Sequence, residues 1–205
     1  MLIDIHAIPE RDRYKLLIGA VVPRPIAWVS TMDRSGNLNV APFSFFNAVC
    51  SNPMTLMFSV ATTETVDGKK DTLRNIEAVP EFVINMTDVA TAAAMNLTAT
   101  PLPAAQSEFD WAGLTPAPSK MIRVPRVAEA PIAFECTLQR IVTISDLPGG
   151  ASVIFGEVQS IFVRDDLYAN GRILLDAYQP IGRLGGNGYE RVTNTFEMER
   201  VPAPE

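Results

Sequence analysis

Three stretches of this 205-residue chain carry side chains that could hold a ligand. The first runs from Ala41 to Asn47, where Phe43, Phe45 and Phe46 alternate with Ser44 and Asn47 behind Pro42. Aromatic faces can lie against a ring, while a hydroxyl, an amide and free backbone N–H groups reach polar atoms. The combination suits a flat, partly charged ligand. The second is Lys69-Lys70-Asp71-Thr72 at the start of a helical pattern. A helix N-terminus offers unpaired N–H groups and a positive dipole end, to which Lys70 adds a charge and Thr72 a hydroxyl, a combination that attracts phosphate. The third is Arg24, held between Pro23 and Pro25, whose rings stiffen the backbone and aim the guanidinium. Each has an ordinary counterpart: core aromatics, a capped surface helix behind solvated lysines, and an exposed arginine at a strand entrance. Gly185 and Gly186 fit either a close backbone approach or a plain turn.

Other chemistries lack their parts. The chain has one histidine, His6, and two cysteines, Cys50 and Cys136, with no CxxC pair, so neither a metal site nor a nucleophile–base device assembles at recognisable spacing. Both cysteines are expected to be small buried hydrophobes. A formal net charge of −6 argues against a nucleic-acid backbone as partner, though not against one phosphate on a small ligand. No apolar run is long enough to span a bilayer, and the first residues lack a basic stretch followed by an apolar one. The expected setting is therefore the cytoplasm, away from membrane and nucleic acid.

The elements that must position these residues can be read in order. Residues 9–18 suit a short helix with Pro9 at its start, Leu16, Leu17 and Ile18 on its buried side, and Gly19 as its stop. Residues 25–32 form an apolar strand and 33–36 a turn, and the return strand over 38–41 ends at Pro42, which has no N–H for a ladder. After a turn over 50–53, strands are expected over 54–61 and 81–86, with a helix over 71–79 between them and a small one over 89–97. Residues 62–70 are a polar loop. The proline-rich residues 98–118 surround Ser107-Glu108-Phe109-Asp110-Trp111 and are too long for an idle connection, which suggests a covering segment, a subunit contact or a surface loop pinned by Phe109 and Trp111. A long alternating strand over 133–144 places Phe134, Cys136, Leu138, Val142 and Ile144 on one face. It returns over 151–164, with Gly156 as a bulge or bend.

Many strands joined by short turns, with a few short helices, predict a mainly β protein built on a β-barrel in one domain over residues 1–205. No GxGxxG follows a strand, so a Rossmann site is not supported. The segments PRPIAWVSTMDRSGNLNVAPFSFFN, SNP before a strand, KKDTLRNI and EFVINM, with SEFDWAGL and IGRLGGNGY later, resemble the flavin reductase-like family over most of the chain and in order.

That resemblance implies an FMN-binding split β-barrel of Greek-key-like topology, usually a homodimer with FMN near the subunit boundary. It implies that Arg24, Pro25 and Ile26 lie along the flavin and that Ala41, Phe43, Ser44, Phe45 and Asn47 contact its ring and ribityl phosphate. Lys70, Asp71 and Thr72 would form the phosphate end, and Arg183 and Tyr189 would complete the pocket. Cys50 stands where relatives often have serine. The implied activity is an NAD(P)H-dependent flavin reductase passing hydride from NADH or NADPH to FMN, with a partner oxygenase or another electron acceptor downstream. The alternatives are an FMN-containing electron-transfer protein and a non-catalytic flavin-binding module.

Overall fold

The apolar run after Pro25 becomes a strand covered on both faces. Ala27 and Val29 belong to one buried cluster, and Trp28, with Ile26 before it, belongs to another. This double burial explains why the run shows no polar alternation. The computed structural model describes residues 1–65, 67–103, 106–201 and 203, so the expected loop over 62–70 is described without Val66 and the segment over 98–118 without Ala104 and Ala105.

In chain order the elements are α1 (Glu10–Ala20), β1 (Ala27–Met32), β2 (Leu38–Phe43), β3 (Phe46–Ser51), β4 (Met54–Ala61), α2 (Asp71–Ala78), β5 (Glu81–Asn85), α3 (Ala92–Leu97), α4 (Glu108–Trp111), β6 (Pro116–Ala117), β7 (Arg126–Val127), β8 (Ile132–Thr143), β9 (Ala151–Val163), β10 (Tyr168–Ala169), β11 (Arg172–Ile173), α5 (Leu175–Tyr178), β12 (Ile181–Arg183) and β13 (Tyr189–Arg191). Seven strands form one antiparallel sheet in the order β2-β1-β5-β8-β9-β4-β3. Its two outermost strands, β2 and β3, are consecutive in the chain and separated only by Ser44 and Phe45. The Ser59 N–H of β4 donates to the Phe45 carbonyl at 2.8 Å, so this corner is tied back to the far side of the sheet.

The sheet thereby turns on itself around an interior of Phe43, Phe58 and Phe82, joined by Cys136 and Ile154. The Phe43 and Phe58 rings lie 5.2 Å apart, and Phe58 meets Phe82 edge-on at 5.7 Å, arrangements favoured by the ring quadrupoles. Helix α2 adds Leu73 and Ile76 to the same interior. A second layer covers the outer face of β1 and β2, where Met95, Phe109, Leu114, Val127 and Ile181 join Ile26, Trp28 and Val40. The Trp28 indole N–H, buried there, finds its partner in Thr98 Oγ1 at 2.9 Å.

Several sequence expectations change for physical reasons. Pro42 does not end β2, which continues to Phe43 with Pro42 opposite Trp28; β2 is an edge strand, where a missing N–H costs the ladder nothing. Cys50 is exposed rather than buried, because β3 is the other edge, whereas Cys136 is fully buried as expected. Helix α1 continues through Gly19 to Ala20 and buries Ile18 but not Leu16 or Leu17. Gly156 is not itself the extra residue of a bulge: the register slips opposite it, between Leu138 and Arg140 on β8, and again between Val158 and Ser160 on β9. The glycine is required because a Cβ there would stand 2.4 Å from Phe82 Cζ. Val142 and Ile144 are exposed, while Glu135 of the supposed outer face is buried and accepts from the Lys120 and Met121 N–H groups at 2.8 and 2.7 Å. Phe109 is buried and pins its segment, but Trp111 is exposed.

Candidate functional site

The corner between β2 and β3 carries Phe43 buried, Ser44 half-buried and Phe45 exposed. A cation stands over each aromatic: Lys70 Nζ lies 5.7 Å from the centroid of Phe43, and Arg24 Cζ lies 5.7 Å from that of Phe45. Such distances are within reach of a ring's negative face. The corner therefore carries an exposed aromatic ring and a hydroxyl beside Arg24, with a second cation, Lys70, against the adjoining buried ring.

Arg24 is buried, not the exposed arginine of a strand entrance. Its Nη1 donates to the carbonyls of Ile18 at 2.9 Å and Val21 at 2.6 Å, its Nη2 to Leu184 O at 3.1 Å, and its Nε reaches Ser44 Oγ at 3.4 Å. Three main-chain acceptors thus set the direction of the guanidinium. Burial lowers its pKa below the usual arginine range, with neighbouring Arg183 adding a smaller push that Tyr14 opposes. The Arg24 and Arg183 backbones exchange hydrogen bonds of 2.9 and 2.8 Å, which carries the end of the chain to the corner. Arg183 in turn lies 4.6 Å from the Tyr189 ring centroid, donates to its hydroxyl, and gives Nη2 to Gly186 O at 2.5 Å. Tyr189 passes its hydroxyl on to Asn96 Oδ1 at 3.2 Å.

The other end is the start of α2. Lys70 occupies the N-cap position in extended conformation without a side-chain cap, and Asp71 is the first helical residue. The first N–H groups of a helix have no intrahelical partner. The neighbouring charges are sorted. Lys69 pairs with Glu77 at 2.7 Å, whereas Lys70 has no ion pair among the described residues. Arg74 holds both nearby acids, Asp67 and Asp71, each at 2.6 Å. That pairing keeps the Asp67 carboxyl well below the usual carboxylate range.

The predicted residues divide by what they present. Arg24, Ser44, Phe45, Arg183 and Tyr189 form one continuous set of contacts, and Lys70 joins it through Phe43. Pro25 is exposed beside Arg24 and Asn47 is exposed at the start of β3, its Oδ1 taken by Ala48 N–H at 2.8 Å. Ala41 is half-buried on β2 opposite Val29. Ile26 turns its side chain into the core beside Trp28. Thr72 is buried, and its hydroxyl donates inward to Asn39 Oδ1 at 3.1 Å. Two further residues were not singled out from the sequence. Asn39 also accepts from Thr31 Oγ1 at 3.3 Å, and its Nδ2 donates to the buried Glu108 carboxylate at 2.8 Å. The alternation of β2, which puts Asn39 on the face of Ala41 and Phe43, could have marked Asn39; nothing local marks Glu108.

A family model described as the flavin reductase like domain matches residues 18–181. Among solved structures, nitrilotriacetate monooxygenase component B from Bacillus cereus is 39% identical, with a TM-score of 0.92 over 97% of this chain and 98% of that one. The Pseudomonas fluorescens 2-nitrobenzoate 2-nitroreductase NbaA is 35% identical, with a TM-score of 0.88 over 98% and 96%. At 20% identity and a TM-score of 0.84, over 98% of this chain and 100% of that one, a Shewanella frigidimarina structure described as having a split barrel domain identifies the fold. With its sheet folded back through the Ser44–Phe45 corner and the family model covering the barrel from Ile18 to Ile181, the chain belongs to the flavin reductase-like family and is a split barrel.

Proposed function

We propose that the chain is an FMN-dependent flavin oxidoreductase that accepts hydride from NADH or NADPH. The observation that carries this reading is the corner itself, where Arg24 lies against Ser44 and Phe45 and Lys70 lies against the adjoining Phe43. The residues fit a flavin mononucleotide at both ends. An anionic phosphate matches the uncapped start of α2 and Lys70, and Arg74 neutralises the two acids that would oppose it. An aromatic ring matches exposed Phe45, with Ser44 and the Arg24 guanidinium within reach of polar edge atoms.

When bound, the flavin supplies the hydride-accepting chemistry. The chain's part is placement and electrostatics. Arg24 and Arg183 keep positive charge beside the corner, where a reduced flavin ring becomes more negative. The fixed backbone at Ser44 and Phe45 aligns ring and nicotinamide, since orientation is what a hydride step needs most. Thr72 contributes through its main-chain N–H rather than its hydroxyl, which is already spent on Asn39. We further read the protein as a homodimer that delivers electrons to a partner oxygenase or another acceptor; the Bacillus cereus neighbour, named as a monooxygenase component, supports the oxygenase partner.

The test is an absorption spectrum of the purified protein, followed by NADH and then NADPH without oxygen. A yellow protein bleached by either nucleotide is expected. Yellow protein that neither nucleotide reduces would replace the reductase with an electron carrier or storage module. Colourless protein that takes up no added FMN would remove the site. In the same titration Lys70→Ala is expected to weaken FMN by roughly tenfold, the scale of one charge-assisted hydrogen bond.

A further inference from the structure

Helix α4 sends one carboxylate toward the site from behind. Glu108, at the start of α4, is buried, and its Oε2 accepts from Asn39 Nδ2 at 2.8 Å and from the Val40 N–H at 3.3 Å. Asn39 cannot then choose its orientation freely. With Nδ2 committed to Glu108, its Oδ1 faces the opposite way, toward α2. There it accepts from Thr72 Oγ1 at 3.1 Å and from Thr31 Oγ1 at 3.3 Å, and Thr31 Oγ1 accepts from Asn75 Nδ2 at 3.0 Å. Both Thr72 and Asn75 belong to α2, one turn apart. The helix is thus fixed to the sheet by two polar contacts that meet at one amide, and that amide is aimed by one carboxylate.

We propose that Glu108 is a positioning residue for the phosphate end of the flavin site, acting through Asn39 on the first turn of α2. The inference rests on the proposed flavin reading, because it assumes that the start of α2 meets a phosphate. Its physical content is preorganisation. N–H groups and Lys70 favour an anion most when they are already held where the anion must sit. Losing the carboxylate lets the Asn39 amide turn over, presenting Nδ2 to the Thr72 and Thr31 hydroxyls and loosening the helix start relative to Phe43. The competing account is purely structural. Ser107 Oγ donates to Leu38 O at 2.8 Å, next to the Glu108 contact with Val40, so the pair also blocks the outer edge of β2.

The two accounts separate by which part of the ligand feels the change. Full-length protein freed of flavin is titrated with FMN and with riboflavin, which lacks the phosphate, and the ratio of the two dissociation constants is compared. Glu108→Ala is expected to weaken FMN by roughly tenfold and riboflavin by less than about twofold, on the scale of hydrogen bonds to a charged group. Should that variant fail to fold, Glu108→Gln keeps the shape and offers one carbonyl oxygen to the two donors that share Oε2, so it removes the charge that strengthens both contacts, and Thr72→Val removes the hydroxyl at constant volume. Each is expected to lower the selectivity for FMN by roughly threefold. An unchanged ratio in the Glu108 variants, while Lys70→Ala lowers it, overturns the positioning role and leaves the phosphate site standing. Equal weakening of both flavins reduces Glu108 to an edge cover. A ratio unmoved even by Lys70→Ala removes the phosphate site and this inference with it.

Discussion

Arg24 spends its donors on the Ile18, Val21 and Leu184 carbonyls and on Ser44, whereas Lys70 reaches out beside Phe43 with no ion pair among the described residues. The first charge is part of the scaffold; the second is available to a ligand. A lysine at position 24 offers three donors from one atom and cannot follow acceptors spread along a planar fork. Arg24→Lys is therefore expected to lower stability in a urea melt, at about 1–3 kcal/mol for each buried acceptor left unpaired, and to weaken flavin binding as well. Lys70→Ala is expected to weaken binding with the melt unchanged within about 0.5 kcal/mol, as for a surface substitution. A melt unmoved by Arg24→Lys would show that the carbonyls are satisfied without the guanidinium. The residue types were legible from the sequence: prolines around an arginine, a lysine before a helix, aromatics beside a serine. Their allegiances were not, because Leu184 lies 160 positions from Arg24 and Asn39 lies 33 from Thr72. No local pattern says whether a hydroxyl faces a ligand or a neighbour.

Among the elements, α2 was the plainest in the sequence, since Leu73 and Ile76 recur at helical spacing and both enter the core. Strands β1, β2, β4, β5, β8 and β9 were also legible from apolar runs or alternation, whereas β3 was not: Asn47 to Ser51 are exposed and the expected turn over 50–53 overlaps its end. What escaped was anything decided by the position of a strand in the sheet. Pro42 and Cys50 were misread because edge and centre strands look alike until the order of strands is known. Gly156 marks the same gap. It sits in β9, which pairs with both β4 and β8, and the Phe82 ring of β5 occupies the space its side chain would need. Gly156→Ala puts a methyl against a ring that is itself locked against Phe58. The expected cost is about 1–3 kcal/mol, the usual range for overpacking a dense core, read as a lower melting temperature. Phe82→Leu in the same chain frees that space and is expected to recover part of the loss. Additive losses in the double variant would mean that the two side chains do not compete.

At the scale of the molecule, the two outermost strands are treated differently. The outer edge of β2 is blocked by Ser107 and Glu108, as protection of a free edge requires. Strand β3 has no such cover among the described residues: Asn47 to Ser51 are exposed, as are the apolar side chains of Phe45, Val49 and Met54 around it. Exposed apolar groups beside an open strand edge are the signature of an association surface, and this one runs directly into the Ser44–Phe45 corner. A second copy seated here would both shield the edge and wall the proposed flavin corner from water, which is why dimerisation and flavin binding are expected to fail together. Light scattering is expected to give twice the chain mass. Val49→Lys is expected to return the monomer, with the far-ultraviolet circular dichroism unchanged and FMN affinity reduced. A Val49→Lys protein that stays dimeric would move the interface elsewhere. The first place to look would be the apolar groove between Ile161, Tyr168 and Ile173 at the far ends of β8 and β9. A monomer that binds FMN as tightly as the unaltered protein would show that one chain completes the site alone.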